Sequence, residues 1–213
     1  APFVETNRGC PFKCSFCHTG ADYFQKVHMF SLERILVELE YIGQRAAKKK
    51  NTVLHLADVN FGMFPRDKDI CKALVNTRKK YHWPLSLTTT TGKNNKERVI
   101  EASAILGNLF QVGMSVQSMD EKVLSNIKRS NIKLDHYIEV GKYAKKHGST
   151  LCTEIIIGLP GETKKSFIEG VKKVINAGTD RIVIWTLMML NGTEFKNPEY
   201  RAKYKMKGKY RIV

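Results

Sequence analysis

TLCTEIIIGLPGETKKSFIEGVKKVINAG, residues 150–178, decides the fold. Its first part, Thr150–Ile157, is rich in β-branched residues and reads as a strand. Gly158-Leu159-Pro160-Gly161 breaks that strand, because glycine and proline serve turns rather than ladders. Thr163 reads as a helix N-cap, and the helix over Thr163–Ala177 stops at Gly178. A further strand, Asp180–Met188, follows. Strand, helix and strand joined by connections of this length imply a parallel crossover.

The same unit recurs outward from this stretch. Phe3–Arg8 reads as a strand. Ser31–Arg45 reads as a helix, capped by Ser31, with Leu32, Ile35, Leu36, Leu39 and Ile42 at helical spacing. Thr52–Ala57 is the next strand, and Asp67–Tyr81 a helix with Ile70, Ala73 and Leu74 on one face. Leu85–Thr89 and Phe110–Val116 read as strands flanking a helix over Lys96–Leu106. Ser118-Met119-Asp120-Glu121 has capping-box spacing. Asp135–Lys146 is a helix closed by His147-Gly148. Six strands alternating with helices predict a parallel sheet with helices outside it, either a doubly wound sheet or an open barrel.

The 213 residues suffice for a real core, and 42% hydrophobic with 26% charged residues is ordinary for a globular chain. No apolar run approaches the roughly 20 residues of a membrane helix, and no secretory signal opens the chain. Ala1 precedes the first motif by only nine residues, and Lys203–Val213 breaks off in a basic stretch, so both ends read as cuts in a longer protein. The formal net charge is +16. An RNA partner would account for it. Solvated helix faces account for it better: Lys48–Lys50, Lys79–Lys80, Lys145–Lys146, Lys164–Lys165 and Lys172–Lys173 are scattered, with no aromatic-interleaved basic stripe.

Five cysteines are present, three of them within Cys10-Pro11-Phe12-Lys13-Cys14-Ser15-Phe16-Cys17. A disulfide framework would spread them more widely; metal binding in a reducing cytoplasm fits better. Thiolates suit iron–sulfur clusters or zinc. A 4Fe–4S cluster on Cys10, Cys14 and Cys17 leaves one iron open to a substrate. Zinc would take His18 or His28 as fourth ligand. Cys71 and Cys152 read as buried small residues.

Other unusual residues fall at strand C-termini, where barrels of this type place their chemistry. Asp58 and Asn60 offer acceptors after the second strand. Ser115 and Gln117 share a face of the fourth by simple alternation. Glu154 shares a face with Cys152 and Ile156 on the fifth; its carboxylate needs a partner, either a ligand hydroxyl or Arg181. Gly158 and Gly161 permit close backbone approach. Trp185 and Met188 line a pocket or fill core, and Tyr23 and His28 lie in the loop after the cysteines.

The C-x3-C-x2-C spacing with Phe16 before the third cysteine resembles the signature of the radical S-adenosylmethionine (SAM) superfamily, over about Phe3 to Leu190. That resemblance implies a partial (β/α)6 TIM-like barrel of parallel strands with outer helices. It implies a core domain over 1–190, followed at 191–213 by the truncated start of a C-terminal extension. It implies a 4Fe–4S cluster on Cys10, Cys14 and Cys17, with Phe16 and Ile156 or Ile157 against the adenine of SAM. Asp58 or Asn60 would take the methionine amino group, where the superfamily often has Gly-Gly-Glu. Ser115 and Gln117 would face ribose and carboxylate, Arg129 would pair with the carboxylate, and Glu154 and Gly158 would complete the cofactor-binding set. A reductant such as flavodoxin or ferredoxin is implied, with an unidentified substrate. Glu5-Thr6-Asn7-Arg8-Gly9-Cys10-Pro11-Phe12-Lys13-Cys14-Ser15-Phe16-Cys17, Asp58-Val59-Asn60-Phe61-Gly62 and Gly158-Leu159-Pro160-Gly161-Glu162-Thr163 together resemble the cobalamin-binding group, whose members carry a cobalamin domain ahead of the barrel. Ser115-Val116-Gln117-Ser118 and Gly158–Thr163 also resemble tRNA-modifying methylthiotransferases. A non-catalytic, metal-stabilised binding module is the third reading.

Overall fold

The computed structural model describes residues 1–46, 48, 53–92 and 95–210. Thr52, Lys49 and Lys50, read above as part of a strand and a lysine run, lie outside the described residues. In chain order the elements are β1 (Phe3–Val4), β2 (Asn7–Arg8), β3 (His28–Met29), α1 (Leu32–Ala46), β4 (Val53–Leu56), α2 (Asp67–Tyr81), β5 (Ser86–Thr88) and α3 (Lys96–Leu106). They continue with β6 (Gln111–Gly113), α4 (Glu121–Asn126), α5 (Leu134–Lys146), β7 (Thr150–Ile157), α6 (Lys164–Asn176), β8 (Arg181–Thr186) and α7 (Pro198–Lys203).

Strand order settles the choice between the two parallel architectures. β1, β4 and β5 pair in parallel, as do β6, β7 and β8. A parallel bridge between Leu87 and Phe110 joins the two triplets. The six strands therefore lie side by side in the order of the chain. A doubly wound sheet would reverse that order at a switch point; this one curls as an open half-barrel between β1 and β8.

One face of the sheet carries Leu54, Leu56, Leu87, Val112, Leu151 and Ile155, all buried in one cluster with Ile35 and Leu39 of α1, Ile70 and Leu74 of α2, Val99 of α3 and Val140 of α5. Burying each leucine is worth about 2 kcal/mol, so this layer fixes the register. On the other face His55, Cys152 and Glu154 alternate with those residues and remain half-exposed, as period-two geometry requires.

Some boundaries differ from those read from the sequence. The first strand is broken: Thr6 turns the chain, and β2 pairs antiparallel with β3. The fourth strand regularly pairs only over Gln111–Gly113. The helix cap after it is Asp120, whose carboxylate accepts from Val123 N at 3.0 Å, while Ser118 Oγ accepts from Asp120 N at 3.2 Å. Thr163 does cap α6, in a reciprocal box with Ser166. No helix among the described residues is long and apolar enough to cross a membrane.

Candidate active site

Backbone crowding ties the cysteine loop into a knot. Gly9 has φ +115°, and a Cβ there would lie 2.6 Å from Lys26 O. Cys10 N donates to Phe24 O at 2.7 Å, Cys17 N to Cys14 O at 3.0 Å, and Ser15 N to Ile127 O at 3.0 Å just past α4. None of the three cysteines forms a disulfide; Cys10 and Cys14 are buried and Cys17 half-buried.

The sulfurs meet polar groups from distant strand ends. Asn60 Nδ2 donates to Cys10 Sγ at 3.3 Å. Arg129 Nη1 lies 3.8 Å from Cys14 Sγ. The Arg129 side chain is only 6% exposed, which excludes a solvated helix-end role. Its Nε donates to Asn131 Oδ1 at 2.9 Å and its Nη2 to Ser115 O. Asn131 in turn donates to Val116 O and Ser118 O. Burial pulls the Arg129 guanidinium below its usual range, and Cys14, Cys17 and Cys10 push it back up.

The rim continues through β6 and β7. Ser115 Oγ donates to Glu154 Oε2 at 2.7 Å, and Trp185 Nε1 to Glu154 Oε1 at 3.1 Å; these, not Arg181, are the carboxylate's partners. Gly113 pairs with Cys152, yet Gln117 pairs with Ile155. Four steps on one strand against three on its neighbour make a bulge. Gln117 absorbs it at φ +64°, a conformation that is uncommon outside glycine and clusters at functional sites. Simple alternation therefore no longer relates Ser115 to Gln117. Gly158, at φ +92°, donates its N–H to Glu162 Oε2 at 2.9 Å. Phe16 and Ile156 share a small apolar cluster with Leu159 and Phe195.

Asp58 and Asn60, two residues apart, behave differently. Asp58 accepts from Thr6 N (2.7 Å), Thr6 Oγ1, Asn7 Nδ2 (2.8 Å) and Asn7 N (3.5 Å). Burial raises its pKa and these bonds hold it down. Asn60 is 1% exposed and its Oδ1 has no partner; Gln117 Oε1 is likewise buried and unpaired. A buried acceptor without a donor costs about 1–3 kcal/mol, and both of these lie at strand C-termini.

Among the described residues, no three His, Cys, Asp or Glu side chains stand close enough to hold one metal ion. His18 packs on Phe24 with ring centroids 5.2 Å apart, and His28 is exposed in β3. In a cubane each thiolate binds a different iron, so the sulfurs stand wider than the ligands of a single ion. Three unbridged cysteines beside a buried guanidinium, with two unpaired acceptors on the same rim, fit an iron–sulfur cluster and a small polar ligand.

A radical SAM superfamily model matches residues 4–174. The chain belongs to the radical SAM superfamily. Its members are enzymes that use a 4Fe–4S cluster and SAM. The chain is 34% identical over 205 residues to the cobalamin-dependent radical SAM methyltransferase TokK of Streptomyces tokunonensis, covering 94% of this chain and 29% of that protein. It is 26% identical over 206 residues to a tRNA-2-methylthio-N(6)-dimethylallyladenosine synthase of Neisseria meningitidis, covering 92% of this chain and 46% of that one. In fold it resembles the radical SAM methyltransferase TsrM of Kitasatospora setae, solved with cobalamin and a [4Fe–4S] cluster. The TM-score is 0.76 at 16% identity, over 91% of this chain and 35% of that one. This radical SAM chain thus spans less than half the length of each of these relatives.

Residue-level reasoning missed Phe195, Asn131 and the Thr6–Asn7 corner. Of these only Phe195 left a signal, as an aromatic residue set between Glu194 and Lys196.

Proposed function

We propose that this radical SAM chain holds a 4Fe–4S cluster on Cys10, Cys14 and Cys17 and cleaves SAM reductively, directing the 5′-deoxyadenosyl radical at a hydrogen of its substrate. The observation that carries the proposal is that two buried side chains from distant strand ends meet the cysteine sulfurs, Arg129 Nη1 3.8 Å from Cys14 Sγ and Asn60 Nδ2 3.3 Å from Cys10 Sγ. When bound, the cluster supplies one electron that breaks the C5′–S bond of SAM, with a flavodoxin or ferredoxin as electron source.

The chain's own residues bind and orient. Arg129 Nε, one Nη2 hydrogen and one Nη1 hydrogen are directed at Asn131, Ser115 and Cys14, so the remaining Nη1 and Nη2 hydrogens are left for the SAM carboxylate. Asn60 Oδ1 accepts from the amino group; Asp58 has no capacity left for it. Gln117 Oε1 and Glu154 accept from ribose hydroxyls. Phe16 and Ile156 cover the adenine, and Gly158 lets the backbone close on it. Apolar packing here keeps water from the radical, and proximity then decides which hydrogen is taken. Residues 1–190 form the core in this reading, and 191–213 open an extension.

The finer reading is cobalamin-dependent methyl transfer to an unactivated carbon, supported by the 34% identity to TokK over nearly the whole chain. Methylthiolation of tRNA is the second reading, favoured by the +16 charge and the Neisseria relative. Exposed lysines on helix faces pair with carboxylates, as in Lys145–Asp180 and Lys172–Glu169, which weakens the case for a continuous RNA-binding stripe. Anaerobic reconstitution tests the assignment. About four irons per chain, and an electron paramagnetic resonance (EPR) signal that shifts when SAM is added, are expected. A stoichiometry of one zinc would refute it. Salt-sensitive tRNA binding would favour the second reading.

A further inference from the structure

The chain after β8 does not leave the barrel. It crosses the rim, and Phe195 is fully buried there, in the same cluster as Ile156, Leu159 and Ile127, with Phe16 packed against it. The Phe16 and Phe195 ring centroids lie 6.5 Å apart at 55°. Three further ties hold the crossing in place. Tyr200 Oη donates to Asn126 O at 2.6 Å, Lys128 pairs with Glu194 at 2.8 Å, and Phe195 packs on Tyr200 at 5.2 Å. Asn126 itself reaches the other way, donating to Pro160 O at 2.9 Å inside the glycine loop after β7. The crossing segment is thereby joined to the cysteine loop and to the β7 loop at once, although it lies beyond the family match at residue 174.

We infer that Phe195 is a positioning residue for the nucleotide half of SAM, acting through Phe16 and Ile156. The inference rests on the proposed SAM site. Phe16 is half-exposed and packs against Phe195. A flat ring supported by another ring keeps its orientation while that support remains, and aromatic pairs prefer offset or tilted geometry at this spacing. Without Phe195, Phe16 sinks into the void and the adenine loses its platform. The methionine half, held by Asn60, Arg129 and the open iron, is untouched.

The two halves of the ligand give the test. In anaerobic, reconstituted protein, SAM and free methionine are titrated against the EPR signal of the reduced cluster. Phe195→Ala is expected to raise the SAM dissociation constant about tenfold while methionine affinity stays within about twofold of wild type. Phe195→Leu, which refills the void, recovers most of the SAM affinity. Tyr200→Phe removes the hydroxyl that tethers the crossing to Asn126 and faces Ser15, and makes no hole; it is expected to weaken SAM about threefold, again sparing methionine, and it carries the test if Phe195→Ala does not fold. Equal weakening of both ligands, or no change in either, overturns the inference while leaving the SAM site standing. Wild-type protein that assembles a cluster but binds neither ligand brings down the parent reading as well.

Discussion

Two buried polar regions lie side by side at the strand ends, one closed and one open. In the closed corner, Asp58 is surrounded by donors from Thr6 and Asn7, and the carboxylate has no capacity left. On the open rim, Asn60 and Gln117 are also buried, yet each keeps an acceptor without a donor. Burial alone therefore does not mark a functional residue. What separates them is whether the chain answers its own polar groups. The corner is a lock that holds the start of the cysteine loop to the end of β4; the rim is a socket.

Substitutions should split along that line. Cys14→Ala has the largest expected effect: loss of the cluster and of SAM cleavage by at least about a thousandfold, with cooperative melting retained because the helical layer is untouched. Iron analysis and far-UV circular dichroism check both halves. Arg129→Lys comes next. A point charge cannot reproduce the fork that reaches Ser115, Asn131 and Cys14, so SAM affinity should fall about 10- to 100-fold by titration.

The paired substitutions Asp58→Ala and Asn60→Ala address the comparison itself. The first strands buried donors and should cost about 3 kcal/mol of stability, lowering the melting midpoint by about 6–12 °C, with SAM affinity of the folded fraction little changed. The second removes an orphan and should leave the midpoint within about 2 °C while weakening SAM about tenfold. If both variants lose stability equally and affinity equally, the distinction between lock and socket fails.

The smallest effect concerns Asp67, a half-closed case. Its Oδ2 accepts from Gly62 N and Phe64 N, its Oδ1 has no partner, and burial lifts its pKa to about 6. A carboxyl raised above its ordinary value is most favourable when protonated, and that advantage is lost as pH rises through about 6. Asp67→Asn copies the protonated form. It should add about 1–2 kcal/mol at pH 8 and nothing by about pH 4, as denaturant titrations at the two pH values would show.

Much of this was legible in the sequence because periodicity carried it. Asp67–Tyr81, Lys96–Leu106 and Thr150–Ile157 form the elements read from their apolar spacing and turn residues. Alternation could not choose between a doubly wound sheet and a barrel, since that depends on which strands become neighbours. The family resemblance supplied the choice, and the Leu87–Phe110 bridge bears it out. At the rim, local rules gave residue types but not pairings. Asp58 and Asn60 look equivalent as acceptors until Thr6 folds onto one of them from 52 residues away. The Gln117 bulge was hidden for a similar reason: a one-residue slip arises from pairing with β7, not from the chain's own pattern. Phe195 went unread because its partners, Ile127 and Ile156, lie far away in sequence.

The most direct test is product analysis under strict anaerobiosis. Reconstituted protein is reduced with dithionite and incubated with SAM, and 5′-deoxyadenosine and methionine are quantified by mass spectrometry beside the Cys14→Ala variant. The account predicts that both products form in equal amounts from wild-type protein and that neither forms from the variant. SAM bound to a fully assembled cluster yet recovered intact, or cleaved equally well by the variant, would contradict it.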